Sequence, residues 1–262
     1  GKVAGISRTT LGYNRAFVWT PSATGGSMIE VPAPAGFHSQ PVGLNSSGAV
    51  AGTTFKYATF YTAGPSFYWP GSGTSFSDLG TGQVVDVNDS GQVLGYVYPT
   101  SAFVWKAGVS TTIPTIGMGL LVPADLSNTG QVVGRFNIDY YNIHAFSWKQ
   151  GAAAPVDLGT LGGTYSDAVA VNDSGQIAGN STLADESITH AYRTTAGKRM
   201  TDLGTLSPGE QSFATAMNKN GVVVGMSSHD GSVFRAFLYD VRMRDLGFLD
   251  GSLMPTGIND LK

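Results

Sequence analysis

One phrase recurs along the chain, and it limits the possible folds more than any other feature. It reads Ala-Val-Asn-Asp-Ser-Gly-Gln-Ile-Ala-Gly at 170–179 and Asp-Val-Asn-Asp-Ser-Gly-Gln-Val-Leu-Gly at 86–95, with looser copies at 43–52, 125–134 and 216–225. A sixth copy is split: the chain ends Thr-Gly-Ile-Asn-Asp-Leu-Lys and begins Gly-Lys-Val-Ala-Gly. Read as a circle, the glycines Gly1, Gly48, Gly91, Gly130, Gly175 and Gly221 are 39 to 47 residues apart. A second phrase keeps the same beat at Arg15-Ala16-Phe17, Ser66-Phe67, Ala102-Phe103, His144-Ala145-Phe146, His190-Ala191-Tyr192 and Arg235-Ala236-Phe237, and a third, Asp-Leu-Gly, starts at Asp78, Asp157, Asp202 and Asp245.

Each unit of about 44 residues reads as four short strands, the size of a propeller blade. Alternating apolar positions lead into Asn-Asp-Ser-Gly, whose chemistry suits a tight hairpin turn. No helical period of useful length interrupts the β-branched and aromatic runs. The expected fold is therefore all-β: a six-bladed β-propeller, four antiparallel strands per blade, forming a single domain over 1–262. Its ring closes by pairing the N- and C-terminal strands in one blade, which removes exposed edges. The strand ending in the asparagine is taken as innermost, because Gly43, Ala170, Ala216 and Gly257 precede that residue by two.

Composition excludes several chemistries. Cysteine is absent, which removes disulfides, thiolate metal sites and thiol nucleophiles. A net charge of −3 offers no basic surface for nucleic acid. No apolar run approaches the roughly 18–20 residues of a membrane helix.

The His-Ala-Phe triplets at 144–146 and 190–192, the Asp-Leu-Gly-Thr-Leu runs at 157–161 and 202–206 and the Asn-Asp-Ser-Gly-Gln turns resemble the bacterial extracellular repeats named for that triplet. The resemblance covers essentially the whole chain, with Arg15, Pro65 and Ser101 departing from the histidine. It implies export, to an extracellular, cell-surface or periplasmic location, and it implies no activity.

Residues on the beat read as scaffold. This covers Trp19, Trp69, Trp105 and Trp148, the four Asp-Leu-Gly aspartates, and His144 and His190, which lack an obvious carboxylate third ligand for a metal. Asp86 opens a stretch like a calcium loop, but Val97 stands where the bidentate glutamate belongs. No metal or cofactor is expected, beyond a cation that a central channel could hold.

Residues off the beat carry the functional expectation. Asp86 and Asp125 replace the small inner-strand residue in two adjacent units. Two carboxylates at a narrow axis would repel and raise one pKa, which suits acid–base catalysis, a bound cation or ordered water. Tyr13, Tyr57, Tyr61, Tyr96, Tyr98, Tyr140 and Tyr141 fall in linkers between second and third strands, and His38, Tyr165 and Glu210 in linkers leading to the next inner strand. Such an aromatic rim suits ligand contact. The reading is a monomeric extracellular binding module for a glycan or other small ligand. The alternatives are a glycan-active lyase or hydrolase using Asp86 and Asp125, or a non-catalytic structural propeller at the cell surface.

Overall fold

The asparagine of the recurring phrase closes its own turn. Asn88 Oδ1 accepts the amides of Ser90 and Gln92 at 3.1 and 2.9 Å, and Asn172 Oδ1 those of Ser174 and Gln176 at 3.1 and 3.0 Å. The glycine three residues on has φ between +71° and +96° at Gly48, Gly91, Gly130, Gly175 and Gly221, a region closed to most side chains. The chain is thereby turned back on itself into a hairpin.

The structure is a computed structural model that describes residues 1–57, 61–99, 101–119, 121–195, 199–229, 233–247 and 254–260, with the side chains of Tyr57, Tyr61, Thr62 and His229 outside the description. β1 (Val3–Arg8), β2 (Asn14–Ser22) and β3 (Gly25–Glu30) form a three-stranded sheet. β4 (His38–Leu44), β5 (Val50–Tyr57), β6 (Tyr61–Trp69) and β7 (Ser77–Asp78) form a second sheet, in that order. β8 (Gln83–Val87), β9 (Val93–Val97), β10 (Ser101–Lys106) and β11 (Val109–Thr112) form a third. An eight-stranded sheet follows. One half is β12 (Leu121–Leu126), β13 (Gln131–Asn137), β14 (Ile143–Lys149) and β15 (Val156–Asp157). The other is β16 (Gly162–Val171), β17 (Ile177–Leu183), β18 (Thr189–Thr194) and β19 (Thr201–Asp202), joined to the first through the parallel pair Ile143–Tyr165. β20 (Ser212–Met217), β21 (Val223–His229), β22 (Val233–Tyr239) and β23 (Met243–Asp245) complete the fifth. The contacts group the chain into two units, Gly1–Thr112 with the first three sheets and Ile113–Lys262 with the other two. Among the described residues no helix is long and apolar enough to cross a membrane.

The chain is all-β, but the expected six-bladed propeller with a ring closed by its two ends is overturned. The described strands form five sheets of three to eight strands, and no pairing among them closes a ring. The cause lies in the C-terminal stretch: 254–259 carry no strand. Residues of β20 and of the turn after it hydrogen-bond to the segment. Thr215 Oγ1 donates to Pro255 O at 2.6 Å, Asn218 Nδ2 to Asn259 O at 3.1 Å, and the Lys219 amide to Asp260 Oδ1 at 3.0 Å. Among the described strands, β1 pairs with β2 alone.

The core lies between successive sheets, and the second phrase supplies it. Ala16, Val18 and Val31 from the first sheet region pack with Val50, Phe67 and Trp69 from the second. In the second unit Ala178 and Ala191 meet Ala214, Val223 and Phe237 in the same way. Burying a Phe or Val side chain contributes about 1.5–3 kcal/mol. The phenylalanine needs the glycine opposite it: a Cβ on Gly52 would stand 2.8 Å from Phe67 Cζ, and one on Gly134 2.9 Å from Phe146 Cε1. The alanine amide is not wasted either. Ala16, Ala145 and Ala191 donate to Ser39, Ser166 and Ser212 hydroxyls of the following repeat at 2.8–2.9 Å.

Candidate ligand-binding site

Residues that recur do structural work. His144 Nδ1 lies 2.9 Å from Asp157 Oδ1 and His190 Nδ1 2.8 Å from Asp202 Oδ1, so each histidine has the carboxylate partner that its local sequence conceals. Arg235 takes the same place against Asp245 at 2.9 Å. Each aspartate also caps its own turn, accepting the amide of Gly80, Gly159, Gly204 or Gly247 at 2.7–2.8 Å. Among the described residues no three His, Asp or Glu side chains are grouped to hold a metal ion.

Asp86 lies on β8 in the first unit and Asp125 on β12 in the second, and each is described within its own unit. Asp125 Oδ1 accepts the Leu126 amide at 2.9 Å and Oδ2 the Val171 amide at 2.7 Å. Its carboxylate thus links β12 to β16. Asp86 sits beside Gly43 of β4, where a Cβ would stand 3.6 Å from its Oδ1. Both positions follow a β-bulge that recurs in every repeat with a complete first strand, between Pro41 and Gly43, Val84 and Asp86, Pro123 and Asp125, Ala168 and Ala170, and Ala214 and Ala216. Such a bulge re-aims the side chain that follows it.

The aromatic residues divide into four settings. Tyr13 and His38 form an internal stack: the Tyr13 ring meets His38 edge-on at 5.5 Å, and His38 lies flat on Phe55 at 5.0 Å. The Asn14 amide donates to His38 Nδ1 at 3.0 Å. Tyr140 and Tyr141 form an exposed tip between β13 and β14, at 84% and 87% exposure. Asp139 rigidifies that tip by accepting the Tyr141 and Asn142 amides, both at 2.8 Å, and the Tyr141 amide foremost holds its carboxyl below the usual range. Tyr165 lies within β16 rather than in a linker, and Glu210 contacts its surroundings through its backbone, from Glu210 N to Ser228 Oγ at 3.0 Å. Tyr57 and Tyr61 pair by backbone across a hairpin, and their side chains lie outside the described residues.

Tyr96 and Tyr98 are the fourth group, and they are brought together with residues that the repeat pattern did not single out. A cavity of about 400 Å³ in the first unit is lined by Gln40, Thr53, Thr54, Gln83, Tyr96 and Tyr98, among others. Strand register builds it: Gln40 faces Thr53 across β4–β5, and Gln83 faces Tyr96 across β8–β9. The Tyr96 hydroxyl donates to Gln83 Oε1 at 3.0 Å, which leaves the amide NH2 group to donate elsewhere. Tyr98 is 69% exposed at the rim. Among the described residues no Asp, Glu, Lys, Arg or His lines this cavity. The signal that finds the glutamines is positional: both stand five residues before the turn asparagine, where other repeats have Val122 (before Ser127 in the asparagine's place), Asp167 and Phe213.

No protein-family model matches this chain, and no curated protein matches it. Among solved structures, the Pyrococcus horikoshii acylaminoacyl peptidase superposes with a TM-score of 0.59 at 10% identity over 95% of this chain and 44% of that one. The chain thus spans less than half the length of that peptidase. TolB from Acinetobacter baumannii gives 0.49 at 12% identity, over 96% of this chain and 70% of its own. The β-propeller domain of the Trilobed protease from Pyrococcus furiosus, described as having an open velcro topology, gives 0.49 at 7% identity over 95% and 94%. At such identities likeness extends to fold alone.

Proposed function

We propose that the chain is a propeller-type binding module of the His-Ala-Phe repeat kind, exported from a bacterial cell, that holds a glycan or similar hydroxylated molecule in the cavity of its first unit. The observation that supports this reading is the lining of that cavity: two amides, threonine hydroxyls and two tyrosines, with no charged side chain among the described residues. Amides and hydroxyls exchange hydrogen bonds with vicinal hydroxyl groups, while a tyrosine face covers the apolar side of a sugar ring. A ligand of this kind is uncharged, so its binding is insensitive to salt.

Screening the full chain against an array of neutral oligosaccharides, followed by calorimetry on the hits, tests the reading. Gln83→Ala and Tyr98→Ala are each expected to weaken binding about tenfold or more, equivalent to about 1.4 kcal/mol. Hits whose affinity neither substitution changes would place the ligand elsewhere and overturn the proposal.

A further inference from the structure

The fourth complete repeat departs from its sisters at three positions, placing a carboxyl, an amide and a phenol where no sister carries the same residue. Five residues before the turn asparagine the others carry Gln40, Gln83, Val122 and Phe213, and this one Asp167. Across the hairpin the others place Thr53, Tyr96, Arg135 and Met226, and this one Asn180. In the aromatic phrase Phe17, Phe67, Phe103, Phe146 and Phe237 are matched by Tyr192.

The three replacements meet. Asp167 Oδ1 accepts the Asn180 amide at 3.2 Å. The Tyr165 hydroxyl bridges Asp167 and Arg135, donating to the carboxylate and accepting from the guanidinium. Asn180 Oδ1 in turn accepts the Ala214 amide of β20 at 2.7 Å. Tyr192 is fully buried, and its hydroxyl has no hydrogen-bond partner among the described residues. The scaffold does not need the Tyr192 hydroxyl, because phenylalanine fills the same place in five repeats. Buried polar groups are costly, and a buried carboxyl with a specific charge partner is a functional-site candidate.

We infer that the second unit carries a proton-linked site for a small carboxylate, such as an acidic sugar, with Arg135 as the anion contact and Asp167 as the group that holds the proton. Arg135 is exposed and is the one cation of the cluster. The groups facing Asp167 are Tyr165 on its own strand, Asn180 on β17, Arg135 on β13 and Tyr192 on β18. Burial lifts the Asp167 carboxyl above the usual range, and the hydrogen bonds from Asn180 and Tyr165 and the charge of Arg135 only partly offset it. With Asp167 protonated, Arg135 is free to attract a carboxylate and the site holds net positive charge. With Asp167 ionised, its charge competes for Arg135 and repels the ligand. Affinity therefore rises on acidification, as long as the ligand stays ionised.

Glucuronate, with glucose as neutral comparator and acetate as bare carboxylate, is titrated into the full chain by calorimetry at about pH 5 and about pH 8, both above the ordinary aspartate value near 4. Glucuronate is expected to bind about tenfold more tightly at the lower pH and glucose not at all. Acetate competition assigns recognition to the carboxylate, and its failure to compete assigns it to the acidic sugar as a whole. Arg135→Gln, on an exposed side chain, is expected to abolish glucuronate binding while leaving neutral-glycan binding at the Gln83 cavity unchanged. Asp167→Asn is expected to equalise the two pH values. Equal glucuronate affinity in wild type and Arg135→Gln, no binding at either pH, or a wild-type affinity that does not change with pH would overturn the inference without bearing on the first-unit cavity.

Discussion

Tyr192 carries a hydroxyl into a place where the sister repeats put a bare phenyl ring. Its burial pushes the hydroxyl's pKa well above the usual value, so it stays neutral and needs a hydrogen-bond partner that the described residues do not supply. An unsatisfied buried donor costs about 1–3 kcal/mol. Tyr192→Phe is therefore expected to raise stability by about 1 kcal/mol, seen as a higher urea midpoint with an unchanged slope. Asp167 gives a pH-dependent counterpart. Its folded pKa is raised, so between the unfolded value near 4 and the folded value the native state holds a proton that the unfolded chain has released, and stability falls as pH rises through that window. Asp167→Asn should remove this slope: more stable than wild type above the window, with the difference shrinking as pH falls through it and gone below about pH 4. Denaturation midpoints at three pH values check it, and a difference that persists at acid pH would contradict it.

Hairpins are linked to one another by the turn that makes each of them. Asn172 is buried; it caps its own turn through Oδ1, and its Nδ2 donates to Asn218 O at 3.3 Å and Lys219 O at 3.2 Å of the next repeat. Asp173 beside it accepts the Asn128 amide of the preceding repeat at 2.7 Å, but at the surface. The same two contacts join Asn45 to Asn88 and Ser46 to Asp89. Asn172→Ala removes a buried side chain that caps one turn and ties it to the next, and is expected to cost about 2–3 kcal/mol, whereas Asp173→Ala removes exposed bonds and should cost less than about 1 kcal/mol. Thermal melts of the two variants test the contrast; equal losses would mean that burial does not set the energy of these links. The turns were legible in the sequence because an Asx turn and a left-handed glycine depend only on neighbours within four residues. Gln40 and Gln83 were not, since a glutamine on a strand has no local mark of function until register sets it beside a cavity.

The largest correction concerns how the chain ends. Joining the first and last residues completes the repeat as text, yet 254–259 form no strand and β1 has β2 as its one described strand partner. β1 is accordingly mostly exposed, while β17 is buried along nearly its whole length. Hydrogen exchange should be markedly faster in a peptide spanning 3–8 than in one spanning 177–183. Equal protection would indicate that β1 has a second strand partner after all.

Repeat length, turn chemistry and the alternation of small and aromatic residues were set locally, and the residues alone settled that this chain is all-β and built of hairpins. Whether the hairpins close on themselves, which off-beat residues share a cavity, and which aspartate is buried depend on contacts between residues tens of positions apart. Such contacts are decided by which backbone groups are still unpaired when the sheets meet. At the C-terminal stretch, the repeat pattern alone pairs 254–259 with β1, whereas the fold holds the segment against the fifth sheet through Thr215, Asn218 and Lys219.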